Sequence, residues 1–198
     1  MIFPIVTGHG EVRSIRILLE RVAAHIDPGL HVIVHNAYRM NESALAQTDA
    51  ASLGKALQLG AARVRHAGAV LILLDSEDHC PGELGPRLYA ACNKLRPDLF
   101  ISVVCAHREF ETWFLWAIES LRGVSGIPAD ISMPNDPEAI RGAKEWLARV
   151  RNSSYSPTTD QPRFTAQFDL TLARRSGSFG KLLREMTRIV THLRRGVP

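Results

Sequence analysis

Acidic side chains directly follow apolar segments at three places in this 198-residue chain. The acids are Glu11, Asp75, Glu77, Asp78, Glu109 and Glu111. Carboxylates that pack together repel one another, and a hard divalent cation such as Mg²⁺ or Mn²⁺ is their natural neutraliser. If these acids converge, the implied chemistry is metal-assisted phosphoryl transfer or phosphodiester hydrolysis. Acids after strands also often cap the next helix or stay solvated, so this alternative remains open.

The hydrophobic pattern predicts the elements that would bring these acids together. Strands are predicted at 2–6, 30–34, 69–74 and 100–106, and helical spacing occupies 11–24, 52–66, 84–95 and 110–121, while 36–50 is a predicted loop. This alternation predicts an α/β fold with a mostly parallel sheet flanked by helices. Ligands of such sheets bind at the carboxyl ends of the strands, which is where the acids fall.

The character of the chain changes after Gly123, where glycines and prolines interrupt it. We therefore expect an α/β core over 1–123 and a helical C-terminal extension over 124–198 that packs on the core as one compact unit. In the extension, Asp136-Pro137-Glu138 predicts a helix start, 152–163 predicts a polar loop, and 179–193 predicts an amphipathic helix.

The net charge of +4 is unevenly distributed. The segment from Leu170 to Pro198 carries seven basic residues and one acid, so it is +6, and the rest of the chain is −2. The residues Lys181, Arg184, Arg188 and Arg195 share one face of the predicted C-terminal helix. This face could follow a phosphate backbone, or it could be a solvated face that complements the helix dipole.

Several other residues have two readings. His9 could act as a general acid or contact phosphate, and Lys144 could reach a scissile phosphate, but each could equally be an ordinary loop or helix residue. Trp113, Trp116 and Trp146 could stack bases, although tryptophan on a helix more often packs in a core. No phosphate-binding P-loop motif and no spacing typical of a zinc site is present.

The cysteines, the apolar runs and the first residues of the chain indicate the cellular compartment to expect. The three cysteines form no close pair, the longest apolar run, 69–74, is too short for a bilayer span, and 1–4 lacks the basic region of a secretory signal. We therefore expect a cytoplasmic protein that does not bind membranes. The sequence leaves open whether the chain forms a homo-oligomer.

Two short motifs carry a family resemblance. Val6 to Glu11 resembles the strand-end EGxxE motif of Toprim domains, which occur in topoisomerases, primases and OLD-type nucleases, and Leu73 to Asp78 resembles their hhDxD motif. The whole chain is identified as a member of a bacterial family of stand-alone Toprim-like proteins, the domain of unknown function 4276 family. The further shared segments are 80–86, 108–114, 142–147 and 160–162.

The resemblance implies an acidic site that holds one or two divalent ions. By motif position, Glu11 matches the second acid of EGxxE, Asp75 matches the first acid of DxD, and Glu77 stands where the second usually is. Thr7 replaces the first acid of EGxxE, which in Toprim enzymes is a metal ligand or proton-transfer residue. A threonine hydroxyl is a weak neutral ligand and a poor base. The site is therefore impaired, or Asp78 or Glu109 compensates, or the protein has become a binding or regulatory subunit.

We therefore expect a Toprim-like, Mg²⁺- or Mn²⁺-dependent nuclease, or a nuclease-derived subunit, that acts on nucleic acid. The resemblance to OLD-type systems implies a separate ATPase partner and a role in bacterial defence. The main alternative is a catalytically impaired module that binds nucleic acid or protein. A third class is a nucleotide or small-ligand binder that uses the Thr7–Gly10 loop.

Overall fold

The sheet of this protein has four parallel strands, and the computed structural model describes residues 1–64 and 67–196. The strands are β1 (Ile2–Val6), β2 (Tyr38–Arg39), β3 (Ala69–Asp75) and β4 (Phe100–Ala106), in the order β2-β1-β3-β4. Every neighbouring pair is parallel. The predicted α/β class is therefore confirmed, and the arrangement is consistent with a Rossmann-like or Toprim-like fold.

Helices connect and cover the strands. They are α1 (His9–Ile26), α2 (Glu42–Ala46), α3 (Ala50–Val64), α4 (Pro81–Leu95), α5 (Thr112–Trp116), α6 (Ala143–Val150), α7 (Asp160–Gln167), α8 (Leu170–Ala173) and α9 (Gly177–Arg195). Short 3₁₀ turns lie at Ile118–Leu121, Val124–Gly126 and Pro137–Ala139. In the described ranges 1–64 and 67–196, the helices include none that combines the length and the apolarity of a bilayer span.

Strand β3 divides the hydrophobic core into two halves because its side chains alternate between the two faces of the sheet. Leu71 and Leu73 pack with α1, α5, α7 and α9 on one face, and Ile72 and Leu74 pack with α3 and α4 on the other. Both sets are buried, which explains the uninterrupted apolar run that marks this strand in the sequence.

The predicted strand at 30–34 is wrong. A single bridge joins Val34 to Ile2 in place of a strand, and the edge strand beside β1 is β2, inside the segment predicted to be a loop. This part of the chain lies at the edge of the sheet, where Ile33 is 54% exposed. An edge strand buries little of its surface, so its sequence carries a weak pattern, and α2 in the same segment is equally short.

Four other predictions also need correction. The helix expected at 110–121 is the short α5 followed by a 3₁₀ turn. The helix expected from Asp136 is a 3₁₀ turn that ends at Ala139, because Ile140 is extended, and α6 begins only after Gly142, whose φ is 73°. Helix α7 begins at Asp160, within the predicted polar loop. The α3 helix begins at Ala50, with Asp49 accepting a hydrogen bond from the Ser52 amide at 2.9 Å. His66, at which this helix was expected to end, lies outside the described residues.

The C-terminal helices α7 and α9 pack directly against elements from the first half of the chain. Helix α9 covers β4 and contacts α1, while α7 packs along α1. One buried cluster contains residues of both halves, including Val104 from β4, Leu18 from α1 and Met186 from α9. The division into a core over 1–123 and an extension over 124–198 stays a prediction.

Candidate functional site

The carboxyl ends of β1, β3 and β4 lie side by side because these strands are neighbours in register. Val6 pairs with Leu73 and Asp75 pairs with Ala106. Four carboxylates and one lysine converge above these ends. They are Glu11 from α1, Asp75 from the end of β3, Glu109 and Glu111 from the segment after β4, and Lys144 from α6. We call them the acidic cluster.

The Glu11 side chain folds back over the start of its own helix. Its Oε2 accepts hydrogen bonds from the backbone N–H groups of Thr7 at 3.1 Å and Gly8 at 2.9 Å, and from the Thr7 hydroxyl at 3.4 Å. Gly8 permits this because a Cβ there would collide with the carboxylate. Glu11 is 4% exposed, and burial raises its pKa against the lowering effect of these hydrogen bonds. Glu11 thus caps α1 and also presents its carboxylate to the cluster.

Asp75 sits at the centre of the strand ends. Its Oδ1 accepts a hydrogen bond from the backbone N–H of Phe110 at 2.7 Å, which ties β3 to the segment after β4. Burial raises the pKa of Asp75 well above its ordinary value, and the charges of Glu11 and Glu111 raise it further. An aspartate in this position holds a proton at unusually high pH unless a cation offsets the repulsion.

Glu111 is the most deeply buried acid of the cluster, at 1% exposure. Its Oε1 accepts a hydrogen bond from the Tyr155 hydroxyl at 3.0 Å, whereas its Oε2 has no hydrogen-bond partner among the described residues. Burial raises the pKa of Glu111 to about 7, although the Lys144 charge works in the opposite direction. Burial and the charge of Glu111 raise the pKa of Tyr155, so its hydroxyl keeps its proton and remains a hydrogen-bond donor.

Lys144 supplies the positive charge of the cluster. Its Nζ lies 3.5 Å from an oxygen of Glu109, 3.5 Å from one of Glu111 and 3.9 Å from one of Asp75. Burial lowers its pKa, but the three carboxylates outweigh burial and raise it. When all groups are ionised, four carboxylates face one ammonium, which leaves three uncompensated negative charges.

The rim of the cluster is formed by two loops with unusual backbone geometry. Glu77 and Arg108 both have positive φ, at 48° and 59°, and the Glu77 amide donates to the Arg108 carbonyl at 3.0 Å. Burial raises the pKa of Glu77, with smaller effects from the charges of Glu42 and Glu109. Non-glycine residues in this region are strained, and such strain concentrates at functional sites.

Two predicted site residues lie away from the cluster. Asp78 is exposed and pairs with Arg141 at 2.6 Å, and this hydrogen bond lowers the pKa of Asp78. His9 is exposed at the start of α1, and within the described residues it donates no hydrogen bond to the acids. The positions of these side chains do not favour a role beside the other acids.

The predicted nucleic-acid-binding residues Lys181, Arg184, Arg188 and Arg195 are all exposed on α9. Two of them are partly neutralised, because the buried Glu185 accepts from Lys181 at 2.6 Å and from Arg188 at 2.8 Å. Burial would raise the pKa of Glu185, but these hydrogen bonds and one from Ser102 outweigh it and lower the pKa.

The tryptophans lie in or against the core. Trp113 is fully buried and donates to the Ser178 hydroxyl at 2.8 Å, while Trp146 packs at the margin of the core. Trp113 therefore takes the core position that is usual for tryptophan on a helix, and its ring is not accessible for stacking on a base. Trp116 is partly buried.

The carboxylates are not arranged as a metal-ligand set. Among residues 1–64 and 67–196, no group of three or more His, Cys, Asp or Glu side chains has an arrangement that could hold a metal ion. The donors themselves are oxygen ligands of the kind that hard divalent cations prefer, and the buried Glu111 Oε2 has no hydrogen-bond partner among the described residues, although Lys144 Nζ lies 3.5 Å from it. Lys144 occupies the space between the three acids.

Sequence reasoning missed several residues that position the cluster. The sequence marks Thr7 as a replacement for an acid and as part of a candidate ligand-binding loop, but it does not show that Thr7 donates two hydrogen bonds to Glu11. Tyr155 was placed in a polar loop, and Glu42, which influences Glu77, was also placed in a loop. Only the isolated aromatic side chain of Tyr155 in an otherwise polar stretch could have signalled a buried contact.

Comparison with curated proteins and with solved structures gave no match. The family model described as "Domain of unknown function (DUF4276)" matches residues 6–187, a range that includes every residue of the acidic cluster. The chain therefore belongs to the DUF4276 family.

Proposed function

We propose that this chain is a Toprim-like, metal-dependent phosphodiesterase that acts on nucleic acid, or a subunit derived from such a nuclease. One observation carries the proposal, namely the buried acids from three adjacent strand ends around a single lysine. Their excess of negative charge requires protons or a cation at neutral pH. A Mg²⁺ or Mn²⁺ ion is the cation that this set of oxygen donors favours.

The candidate ligands are Asp75, Glu11, Glu109 and Glu111, with Glu77 at the rim. When bound, the metal supplies Lewis-acid activation of a phosphate oxygen and of an attacking water. Because Lys144 now lies between these acids, metal binding requires its ammonium to move outwards. An ammonium at the edge of the site is then available to donate hydrogen bonds to a phosphate oxygen.

The other residues of the cluster act by orientation. Thr7 and Gly8 hold the Glu11 carboxylate, the Phe110 amide holds Asp75, and Tyr155 holds Glu111. Preorganised carboxylates reduce the reorganisation that accompanies metal and substrate binding. These hydrogen bonds orient the buried acids more strongly than exposed Glu77 is oriented, so we assign Glu77 a secondary role.

The remaining parts of the proposal concern partners. Exposed Arg184 and Arg195 on α9 would contact the phosphate backbone. Lys181 and Arg188 would contribute the part of their positive charge that Glu185 does not neutralise. A separate ATPase subunit, a bacterial defence role and a cytoplasmic location extend the proposal on the basis of the resemblance to OLD-type systems.

The test is Mn²⁺-dependent cleavage of DNA and RNA oligonucleotides by the purified chain. Asp75→Asn removes the central charge and should abolish cleavage. Asp98→Asn is the matched control, because Asp98 precedes β4 at the opposite edge of the sheet, where it pairs with Arg96. Cleavage that survives Asp75→Asn unchanged would refute the assignment of this site.

A binding module without catalysis is the second candidate. It is favoured by Thr7, which stands where the resemblance expects an acid, and by Lys144, which already neutralises part of the cluster. Under this alternative, the chain binds oligonucleotides but does not cleave them with Mn²⁺ or Mg²⁺, and Asp75→Asn leaves binding unchanged.

A further inference from the structure

A polar cavity of about 870 Å³ opens beside the acidic cluster. It lies between the end of β2, the segment that contains α2, the loop after β3 and the outer face of α4. Its lining includes Arg39, Arg87, His79 and Thr48, and also Thr7, which donates hydrogen bonds to Glu11 of the cluster. The cavity therefore adjoins the proposed catalytic site, and none of the cluster's acids lines it.

The two arginines of this cavity have no acidic partner among the described residues. Arg39 donates to the Thr7 carbonyl at 3.4 Å, and Arg87 donates to the Ala46 carbonyl at 2.8 Å. Each contact uses one nitrogen of the guanidinium group, so further N–H donors remain on each side chain. Paired guanidinium donors with free N–H groups are suited to bidentate recognition of phosphate.

One acid, Glu42, lines the cavity together with these arginines. Two arginines against one glutamate leave the cavity positive, beside a cluster that carries excess negative charge. The cavity and the cluster that it adjoins thus carry opposite net charges.

The wall of the cavity has one strained position. Thr48 has a φ of 55°, and its amide donates to the Leu45 carbonyl at 3.0 Å. Positive φ is unfavourable for a β-branched residue, so the surrounding segment holds this turn against its own preference. The turn keeps Thr48 and the neighbouring Gln47 at the cavity surface.

We propose that this cavity is a phosphate-binding subsite that holds a phosphate of the nucleic acid strand next to the one at the acidic cluster. This inference rests on the proposed function, because it names the part of the substrate that the same site holds. Arg39 and Arg87 donate to the phosphate oxygens, and His79 and Thr48 complete the polar wall.

The test measures binding without cleavage. The probe is a fluorescein-labelled single-stranded oligonucleotide, with or without a 5′-phosphate, in EDTA, and fluorescence anisotropy reports its affinity. Arg39→Gln and Arg87→Gln should each weaken binding roughly tenfold and lower the salt dependence by about one ion. Inorganic phosphate should compete with the probe for the wild-type protein.

Arg16→Gln is the matched control, because it removes the same charge from an exposed arginine of α1 that pairs with Glu20 and does not line the cavity. It should change affinity less than twofold. Arg39→Lys and Arg87→Lys keep the charge but lose the planar fork, so each should recover only part of the affinity. These variants also separate a binding defect from a folding defect, since circular dichroism checks the fold of each.

Comparison of the probes with and without a 5′-phosphate identifies which phosphate of the strand the subsite holds. If the arginine variants lose affinity only for the phosphorylated probe, the subsite holds a terminal phosphate, and if they lose affinity for both, it holds an internal diester. Equal losses for Arg16→Gln and the cavity variants, or no binding of either probe, would overturn the subsite. A protein that binds through the cavity but never cleaves with Mn²⁺ would refute the proposed activity and retain the subsite.

Discussion

Replacement of Glu111 by glutamine tests the electrostatic character of the acidic cluster directly. Glutamine has nearly the same shape as a protonated glutamic acid, and its carbonyl oxygen can still accept the hydrogen bond from Tyr155. The substitution therefore removes one ionisable group while it preserves packing. In the wild-type protein this carboxyl is 1% exposed, so its charge is poorly solvated.

The expected effect follows from the pKa of Glu111, which burial raises from 4.5 to about 7. The unfolded chain releases its proton near pH 4.5, whereas the folded protein retains it until about pH 7. The stability of the wild-type protein therefore decreases between these values and is constant above them. One pKa unit corresponds to about 1.4 kcal/mol, so the penalty is about 3 kcal/mol above pH 7 and vanishes below pH 4.5.

Urea unfolding in EDTA between pH 4.5 and 8 is the assay. Glu111→Gln should equal the wild type at pH 4.5 and exceed it by about 3 kcal/mol at pH 8, or roughly 6–12 °C in Tm. The matched control is Glu119→Gln, which changes an exposed glutamate that pairs with Arg122 and should shift stability little at any pH. A difference that does not change with pH, or a variant less stable than the wild type at pH 8, would refute the reasoning.

The same site and its supporting helix give three more expectations. Lys144→Met should lower the free energy of unfolding at pH 8 by about 3–5 kcal/mol, because it removes the counter-charge of buried acids, and the loss should shrink at pH 4.5, where the acids are protonated. Thr7→Glu places a second carboxylate against Glu11, so it should destabilise the protein in EDTA and raise or create Mn²⁺-dependent cleavage. Equal Mn²⁺-dependent cleavage by the variant and the wild-type protein would contradict this expectation. Gly10→Ala should cost about 1–3 kcal/mol in urea unfolding, because the added methyl collides with α7 and the loop before it. Gly54→Ala is its control, since a methyl there meets no described atom within 4 Å and should stabilise α3 by about 0.5–1 kcal/mol.

The sheet and its strand ends could be predicted because central strands have strong sequence patterns. Strand β4 was predicted with the observed bounds, and β3 differs only by the inclusion of Asp75. Since parallel strands direct their carboxyl ends to one edge, the meeting of Glu11, Asp75 and Glu111 followed from the strand order. Weakly patterned edge elements such as β2 could not be found in the same way.

The contacts of the other half of the site could not be predicted from the sequence because they depend on long-range packing. Lys144 is a candidate from the sequence, but its contact with the acids depends on where α6 packs after Gly142, and Tyr155 lies in an irregular segment whose path no local pattern fixes. The outward direction of Asp78 depends on its pairing with Arg141, which lies far along the chain. The metal, the substrate and the partners remain predictions.

The position of Lys144 in the chain has a consequence for biosynthesis. All four acids of the cluster belong to residues 11–111 and leave the ribosome first, whereas their counter-ion and the Tyr155 hydroxyl are synthesised later. A nascent chain that ends before Lys144 therefore carries the acids without the ammonium that offsets their repulsion. The complete site with its counter-ion therefore forms only after α6 has been synthesised.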